Sequence, residues 1–360
     1  MDIQAVDKNF AWKDAVVKGN KKVYTMPCAP FDMYGVFYEE ESKRFVRLPK
    51  SVAEATSVNL TKLFKHTAGG RIRFTTDSNY IGIHVKWENL SAMQHMPLTG
   101  SAGFTLMAHT KKGLKLISAF RPHFEDMKGF SASIKVPKKM TSYTLYFPLY
   151  NDVISLEIEL NAKATVEHGV PYKEELPILY YGSSITQGGC ASRPDNSYQG
   201  FIEKWNNIDH INLGFSGSAK GEDAMLDYIK SIKSSAYVLD YDHNGNPEIL
   251  SKTHFKAYET YRKENPTTPI IMVSRPDFKS TTSFKEVSNN RKNLKIIMDN
   301  YKKALELGDK NVYFIDGRNF FKGKDEEWCA VDGTHPNDLG FYKMATIIYK
   351  KLVQIDKKFK

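Results

Sequence analysis

The chain has 360 residues, 41% hydrophobic and 12% aromatic, which is enough for more than one packed core and excludes extended disorder. Its formal net charge of +10 comes from lysines scattered among acids, without a long block of like charge, so it reads as a solvated basic surface and not as a nucleic-acid footprint. Cys28, Cys190 and Cys329 form no C-x-x-C pair, which speaks against a disulfide scaffold or a cysteine-rich zinc site and for a reducing compartment. Buried thiols are the default, and the spacing of Cys190 and Cys329 from the motifs below would let the two be neighbours. Residues 1–8 are polar and lack the apolar core of a signal peptide, and no run approaches a membrane span. The expectation is a cytoplasmic protein with no membrane partner, although a signal already removed would leave no trace.

Residues 23–167 carry short alternating, β-branched and aromatic segments separated by turn residues. Candidate strands are 35–38, 45–49, 71–74, 80–87, 104–108, 114–119, 131–136, 143–147 and 153–160, with a small N-terminal strand near 14–17. Many strands at regular spacing, with almost no helical periodicity, predict an all-β sandwich over residues 1–168. His84, His95, His109 and His123 are isolated there and carry no catalytic signal without a partner. The sandwich reads as accessory, binding sugars or shaping the rim of a neighbouring site.

A linker around residues 167–175 opens the second unit, residues 169–360, where strand and helix patterns alternate. Strands are expected at 178–181, 210–213, 236–241, 269–274 and 312–315. Helices are expected at 197–205 with Asn196 as a cap, then at 221–232, 247–263, 284–307 and 338–355. Such alternation means a parallel sheet with helices on both faces, and ligands bind at the carboxyl ends of its strands. Five segments with reactive or polar residues converge on that edge: Ser184 in the first loop, Asn212 to Gly217, Asp240 to Asn246, Arg275-Pro276-Asp277, and Asp332 to Asp338 before the last helix.

A serine hydroxyl is a weak nucleophile and needs an adjacent base. Ser184 follows a short apolar strand and Gly182 and precedes Gly188-Gly189, so its neighbours are too small to hide it. His335 is the candidate base, and Asp332 could hold its Nδ1–H and turn Nε2 towards Ser184, in the chain order Ser…Asp…His. Taken alone, Asp-x-x-His is equally a capping aspartate beside a surface histidine; the serine stretch tips the balance. Oxyanion donors would be the N–H groups of Ser184 and Gly217 and the Asn244 amide.

Gly182-Ser183-Ser184-Ile185-Thr186, Gly214-x-x-Gly217, Asn244 and Asp332-x-x-His335 together resemble the four sequence blocks of the SGNH (GDSL-like) hydrolases, in order and spacing. The resemblance implies a flavodoxin-like three-layer fold and ester hydrolysis through an acyl-enzyme. By position it assigns the nucleophile to Ser184, oxyanion donors to Gly217 and Asn244, and acid and base to Asp332 and His335. Residues 30–35, 67–74 and 147–151 resemble the β-sandwich that precedes one branch of that family. Ser183 replaces the aspartate common before the nucleophile. The third block reads Asp242-His243-Asn244-Gly245, so Asn246 and His243 compete with Asn244.

The mechanism needs no cofactor and no metal, and Asp240, Asp242 and His243 read as loop supports. Arg193, Arg275 and Tyr34 are candidates for binding substrate, with a salt-bridged loop arginine and ordinary aromatic packing as the plainer alternatives. The leading expectation is an esterase removing a small acyl group, foremost acetyl, from a small-molecule or oligosaccharide ester. A lipid or lysophospholipid acylhydrolase is the second reading, and a non-catalytic carbohydrate-binding protein the third. The oligomeric state, including a homo-oligomer, is left open.

Overall fold

The computed structural model describes residues 15–276 and 284–360. Asp14 of the small N-terminal strand and Asp277 of the fourth loop lie outside the described residues. Period-two burial builds the first half, as in Ser155–Asn161, where Leu156, Ile158 and Leu160 turn inward and their neighbours stay part-exposed. The strands are β1 (Val16–Lys18), β2 (Lys21–Thr25), β3 (Asp32–Tyr34), β4 (Phe37–Glu39), β5 (Arg44–Val46), β6 (Arg71–Thr76) and β7 (Tyr80–Lys86). They continue as β8 (Phe104–Thr110), β9 (Gly113–Phe120), β10 (Gly129–Lys135), β11 (Thr141–Tyr146), β12 (Ser155–Asn161) and β13 (Val166–His168). One sheet runs β1-β2-β12-β7-β10 and the facing one β13-β6-β11-β8-β9, with β3 also on β6. Ile72, Phe74, Ile83, Phe104, Leu145 and Ile158 lie in the core between them.

Among the described residues three short helices interrupt this half, against the near absence of helix expected there: α1 (Lys50–Thr56), α2 (Leu60–Leu63) and α3 (Leu98–Ser101). They are too short to show a helical period, and packing explains the first two. Val46, Leu48, Ala53, Leu60 and Phe64 join one cluster with Leu213, Phe215, Met225 and Leu226 of the second half.

Among its described residues the second half has five parallel strands, β14 (Ile178–Gly182), β15 (His210–Gly214), β16 (Ala236–Asp240), β17 (Ile270–Val273) and β18 (Val312–Ile315). Their order, β15-β14-β16-β17-β18, is the flavodoxin-like one. The helices are α4 (Ser184–Gln187), α5 (Tyr198–Asn206), α6 (Asp223–Lys230), α7 (Pro247–Glu264), α8 (Phe284–Glu306) and α9 (Asp338–Ile355). Alternation divides each strand between two buried faces. Ile178, Tyr180, Val238 and Ile271 meet Ile202 and Phe341 of α5 and α9, while Leu179, Tyr181, Leu239 and Met272 meet Leu226, Leu250 and Ile297 of α6, α7 and α8. The cap of α5 is Ser197, which accepts from the Gly200 N–H; the amide of Asn196 instead binds Asp338 at 2.9 Å. Among the described residues no helix is long and apolar enough to cross a membrane.

The two halves meet in a buried ionic joint. Arg71 and Arg73 of β6 are fully buried. Arg73 reaches Glu203 of α5 at 3.1 Å and Asn207 at 2.8 Å, Arg71 pairs with Asp209, and the Tyr172 hydroxyl donates to Glu203 at 2.6 Å. Burial works against the Arg71 charge, but Tyr172, Glu203 and Asp209 around it outweigh that and hold its pKa above the ordinary value. Asp32 fastens the linker, accepting from His168 Nδ1 at 2.7 Å and the Gly169 N–H at 2.8 Å. Removing the carboxylate leaves buried guanidinium charge uncompensated. Glu203→Ala is therefore expected to lower stability by about 3–5 kcal/mol, measured as a drop in the urea midpoint. An unchanged midpoint would show that the joint contributes nothing.

Candidate active site

The end of β14 is compressed against its neighbours so that α4 can start at once. A Cβ on Gly182 would lie 2.0 Å from Thr186 Oγ1, and one on Gly214 would lie 2.2 Å from the Gln187 nitrogen; only glycine allows the two strand ends this close to α4. Ser183 caps the helix by accepting from the Ile185 N–H at 3.2 Å, so the residue that departs from the common aspartate has a structural task of its own. Ser184 is the first residue of α4, where backbone N–H groups have no intrahelical acceptor. Its carbonyl accepts from the Tyr150 hydroxyl at 3.1 Å, and the residue is 8% exposed.

Ser184 Oγ lies 2.9 Å from His335 Nε2, and His335 Nδ1 lies 2.8 Å from Asp332 Oδ2. The loop between these two residues is closed on itself. Asp332 Oδ1 accepts from the N–H groups of Thr334 and His335 at 3.0 and 2.7 Å, and the Val331 N–H donates to the His335 carbonyl at 2.9 Å. Partial burial pushes the Asp332 carboxyl up, but the His335 N–H, the His335 ring and the Thr334 N–H outweigh it and hold the pKa below the usual value. Asp332 is thus a charged acceptor for the imidazole.

Across from α4, Asn244 bonds the turn after β15: Nδ2 donates to the Phe215 carbonyl at 2.9 Å and Oδ1 accepts from the Gly217 N–H at 3.1 Å. Of its two rivals, Asn246 caps α7 by accepting from Ile249. For His243, burial and then the charges of Arg275 and His335 hold the pKa well below the ordinary value and keep the ring neutral. In this arrangement the Gly217 N–H is occupied by Asn244 and would have to exchange partners to reach a substrate oxygen.

The first half of the chain braces this edge. Arg47 donates to the carbonyls of Leu63, His66, Asn212 and Gly214 at 3.0, 2.6, 3.1 and 2.6 Å. Gln187 of α4 donates to His66 Nδ1 at 3.1 Å and accepts from the Ser216 N–H at 3.1 Å. Burial, then the charges of Arg47 and Lys65, drive the His66 pKa down to about 3, so its ring is a neutral acceptor. His95, which carried no signal in the sequence, sits with its ring centroid 5.5 Å from that of His335. Its spacing from the motifs gives no clue, because the contact is made by folding alone.

The substrate-binding candidates fare differently. Tyr34 packs edge-on against Tyr172 at 4.8 Å and pairs with Arg71 beside Asp209 and His210, at the start of β15. Ser184 follows the other end of the sheet, about 13 Å away along the strand direction, so the structure does not bring Tyr34 to Ser184. Arg193 forks onto Asp195 at 3.0 and 3.2 Å, the salt-bridged arrangement. The Arg275 N–H donates to Asp242 at 2.8 Å; with Asp242, Arg291 and Arg318 it lines a cavity of about 230 Å³. A larger cavity of about 520 Å³ opens among Asn20, Asp77, Lys138 and Asn161 at turns of the sandwich, where neither Ser184 nor His335 reaches. Cys28, Cys190 and Cys329 are free and buried. The Cys190 N–H donates to the Pro336 carbonyl, and the Cys329 carbonyl accepts from Asn337, so both flank the loop after His335.

The GDSL-like lipase/acylhydrolase family model matches residues 175–354, half of the chain, and the model for the N-terminus of SGNH hydro-type esterases matches residues 23–166. The chain belongs to the GDSL-like lipase/acylhydrolase family. Among solved structures, a GDSL-like lipase from Bacteroides ovatus is 27% identical with a TM-score of 0.84, covering 93% of this chain and 98% of its own. The salicylyl-acyltransferase SsfX3 from a tetracycline biosynthetic pathway shares the fold at 15% identity and a TM-score of 0.79, over 94% and 98%. A family two carbohydrate esterase from Cellvibrio japonicus does so at 9% identity and 0.62, over 94% and 99%. A search of curated proteins gives no match.

Beneath α4, Asp240 is 4% exposed and accepts from Thr186 at 3.0 Å and Tyr198 at 3.1 Å. Burial, with a smaller push from Asp242, raises its pKa from 3.8 to about 7 against the pull of those two donors. A raised carboxyl holds its proton longer folded than unfolded. Below pH about 4 both states are protonated; as pH climbs from there to about 7 stability falls, by roughly 4 kcal/mol in all, and then levels off. Asp240→Asn is expected to flatten that segment of the stability–pH curve, read from urea midpoints between pH 4 and 8. Parallel curves for the two proteins would refute the assignment.

Proposed function

We propose that this chain is a serine esterase that removes small acyl groups, foremost acetyl, from carbohydrate esters. The observation that carries the reading is the serine–imidazole–carboxylate line from Ser184 through His335 to Asp332, at 2.9 and 2.8 Å. His335 Nε2 takes the Ser184 proton as Oγ attacks the ester carbonyl, and the resulting imidazolium is stabilised by Asp332. The oxyanion faces the Ser184 N–H at the start of α4 and the remaining Asn244 amide hydrogen, with Gly217 joining if it releases Asn244. His335 then protonates the departing sugar oxygen. In the second half-reaction His335 deprotonates a water that attacks the acyl-enzyme, and the acid product leaves as Ser184 regains its proton.

The carbohydrate part of the proposal is supported by the sandwich that completes the site's surroundings and by the fold shared with family two carbohydrate esterases. Ser184→Ala is expected to lower p-nitrophenyl acetate turnover by about 10⁴-fold or more; unchanged turnover sinks the proposal. Activity falling as the acyl chain lengthens from two to twelve carbons, together with acetate release from acetylated oligosaccharides, supports the sugar esterase. Activity rising with chain length identifies a lipid acylhydrolase instead.

Asn244→Ala is expected to lower kcat by about 10²–10³-fold with a smaller effect on KM, as befits a group that acts on charge developing in the transition state. A change confined to KM would remove Asn244 from the oxyanion site.

A further inference from the structure

We propose that His95, Cys190 and His335 form a binding site for a divalent transition cation of the zinc type, and that its occupancy shuts the catalytic centre. The three residues come from separate parts of the fold: a turn of the first half closed by the Met93–Met96 bridge, the loop after α4, and the loop before α9. One donor atom from each lies within 4.8 Å of the other two. Zinc–nitrogen bonds of about 2.0–2.1 Å and zinc–sulfur bonds of about 2.3 Å put tetrahedral donors roughly 3.3–3.8 Å apart. The cluster therefore closes with a movement of about 1 Å, within the reach of the partly exposed His95 ring.

Cys190 and His335 are held together by the backbone, since the Cys190 N–H donates to the Pro336 carbonyl at 3.0 Å. Two imidazoles and a thiolate are a soft donor set, suited to zinc and not to magnesium or calcium. On binding, the cysteine S–H bond breaks, the proton leaves to solvent, a metal–sulfur bond forms, and water fills the fourth position. With Nδ1–H directed at Asp332, the lone pair of His335 lies on Nε2, the atom that faces Ser184. A metal on that lone pair leaves the serine without a base. The inhibitory half of the proposal rests on His335 acting as that base; the binding half does not.

Cobalt(II) added to the metal-stripped full-length chain is the direct test, because a bound thiolate gives a charge-transfer band whether or not the protein hydrolyses anything. A band that saturates at one cobalt per chain, is displaced by zinc, and is lost in Cys190→Ser but kept in Cys28→Ser and Cys329→Ser supports the site. His95→Ala, a change near the surface, is expected to weaken zinc by at least about tenfold, and guards against a Cys190 variant that fails to fold. Zinc should also suppress p-nitrophenyl acetate hydrolysis by the wild type, with recovery on adding a chelator. Absence of the band in the wild type, or a band that survives Cys190→Ser, overturns the site. A bound cobalt that leaves hydrolysis untouched overturns its inhibitory role.

Discussion

A guanidinium buried among backbone carbonyls is the constraint on which the sheet edge carrying Ser184 depends. Arg47 is 2% exposed, and its donors are spent on carbonyls from both halves of the chain. Burial drives its pKa down to about 9, so the charge is held in place by hydrogen bonds and by the face of Phe215 4.4 Å away. Two of those carbonyls belong to Asn212 and Gly214, the end of β15, from which the turn carrying Gly217 departs. The position of that turn is thus set from the opposite half of the molecule.

The same pattern recurs around Ser184. Tyr150 holds its carbonyl, His66 holds Gln187, and His95 faces His335, all contributed by the sandwich. Gly69, with φ of +82°, lets the first half approach so closely that a Cβ there would lie 2.7 Å from the Asn212 Cβ. The segments that resemble a family sandwich, 30–35, 67–74 and 147–151, take part in this joint through Asp32, Gly69, Arg71, Arg73 and Tyr150. In the described structure they fasten the halves, with Tyr34 packed edge-on against Tyr172 of the linker.

The parallel sheet and its helices were legible in the sequence because each is written in local periodicity, and Ser184, Asp332 and His335 because each stands at a strand end or helix start with distinctive neighbours. The helix α9 was readable to its last residue from Phe341, Met344, Ala345, Ile348 and Leu352 on one face. What could not be read is what long-range pairing decides. Nothing near Arg47 marks it as a buried brace, and nothing near His95 marks it as a neighbour of His335. The cap of α5 was displaced by one residue because Asn196 and Ser197 are equally good caps, and Asp338, far along the chain, claimed the first. The short helices α1 to α3 lack the length for a period, and α1 and α2 pack into the apolar cluster shared with the second half.

The joint also sets a timetable. Arg47 and Gly214 are separated by 167 residues, and at synthesis rates of about 5–20 residues per second the later partner follows the earlier by roughly 8–33 s. During that interval the sandwich strands can pair among themselves, but Val46, Leu48, Ala53, Leu60 and Phe64 still lack Leu213, Phe215, Met225 and Leu226, which complete their cluster. The nascent first half therefore waits with that apolar stripe uncovered and with Arg47 able to reach only two of its four carbonyls, those of Leu63 and His66. Which surface has to wait is a property of chain order, and a circular permutant beginning at the linker would reverse it.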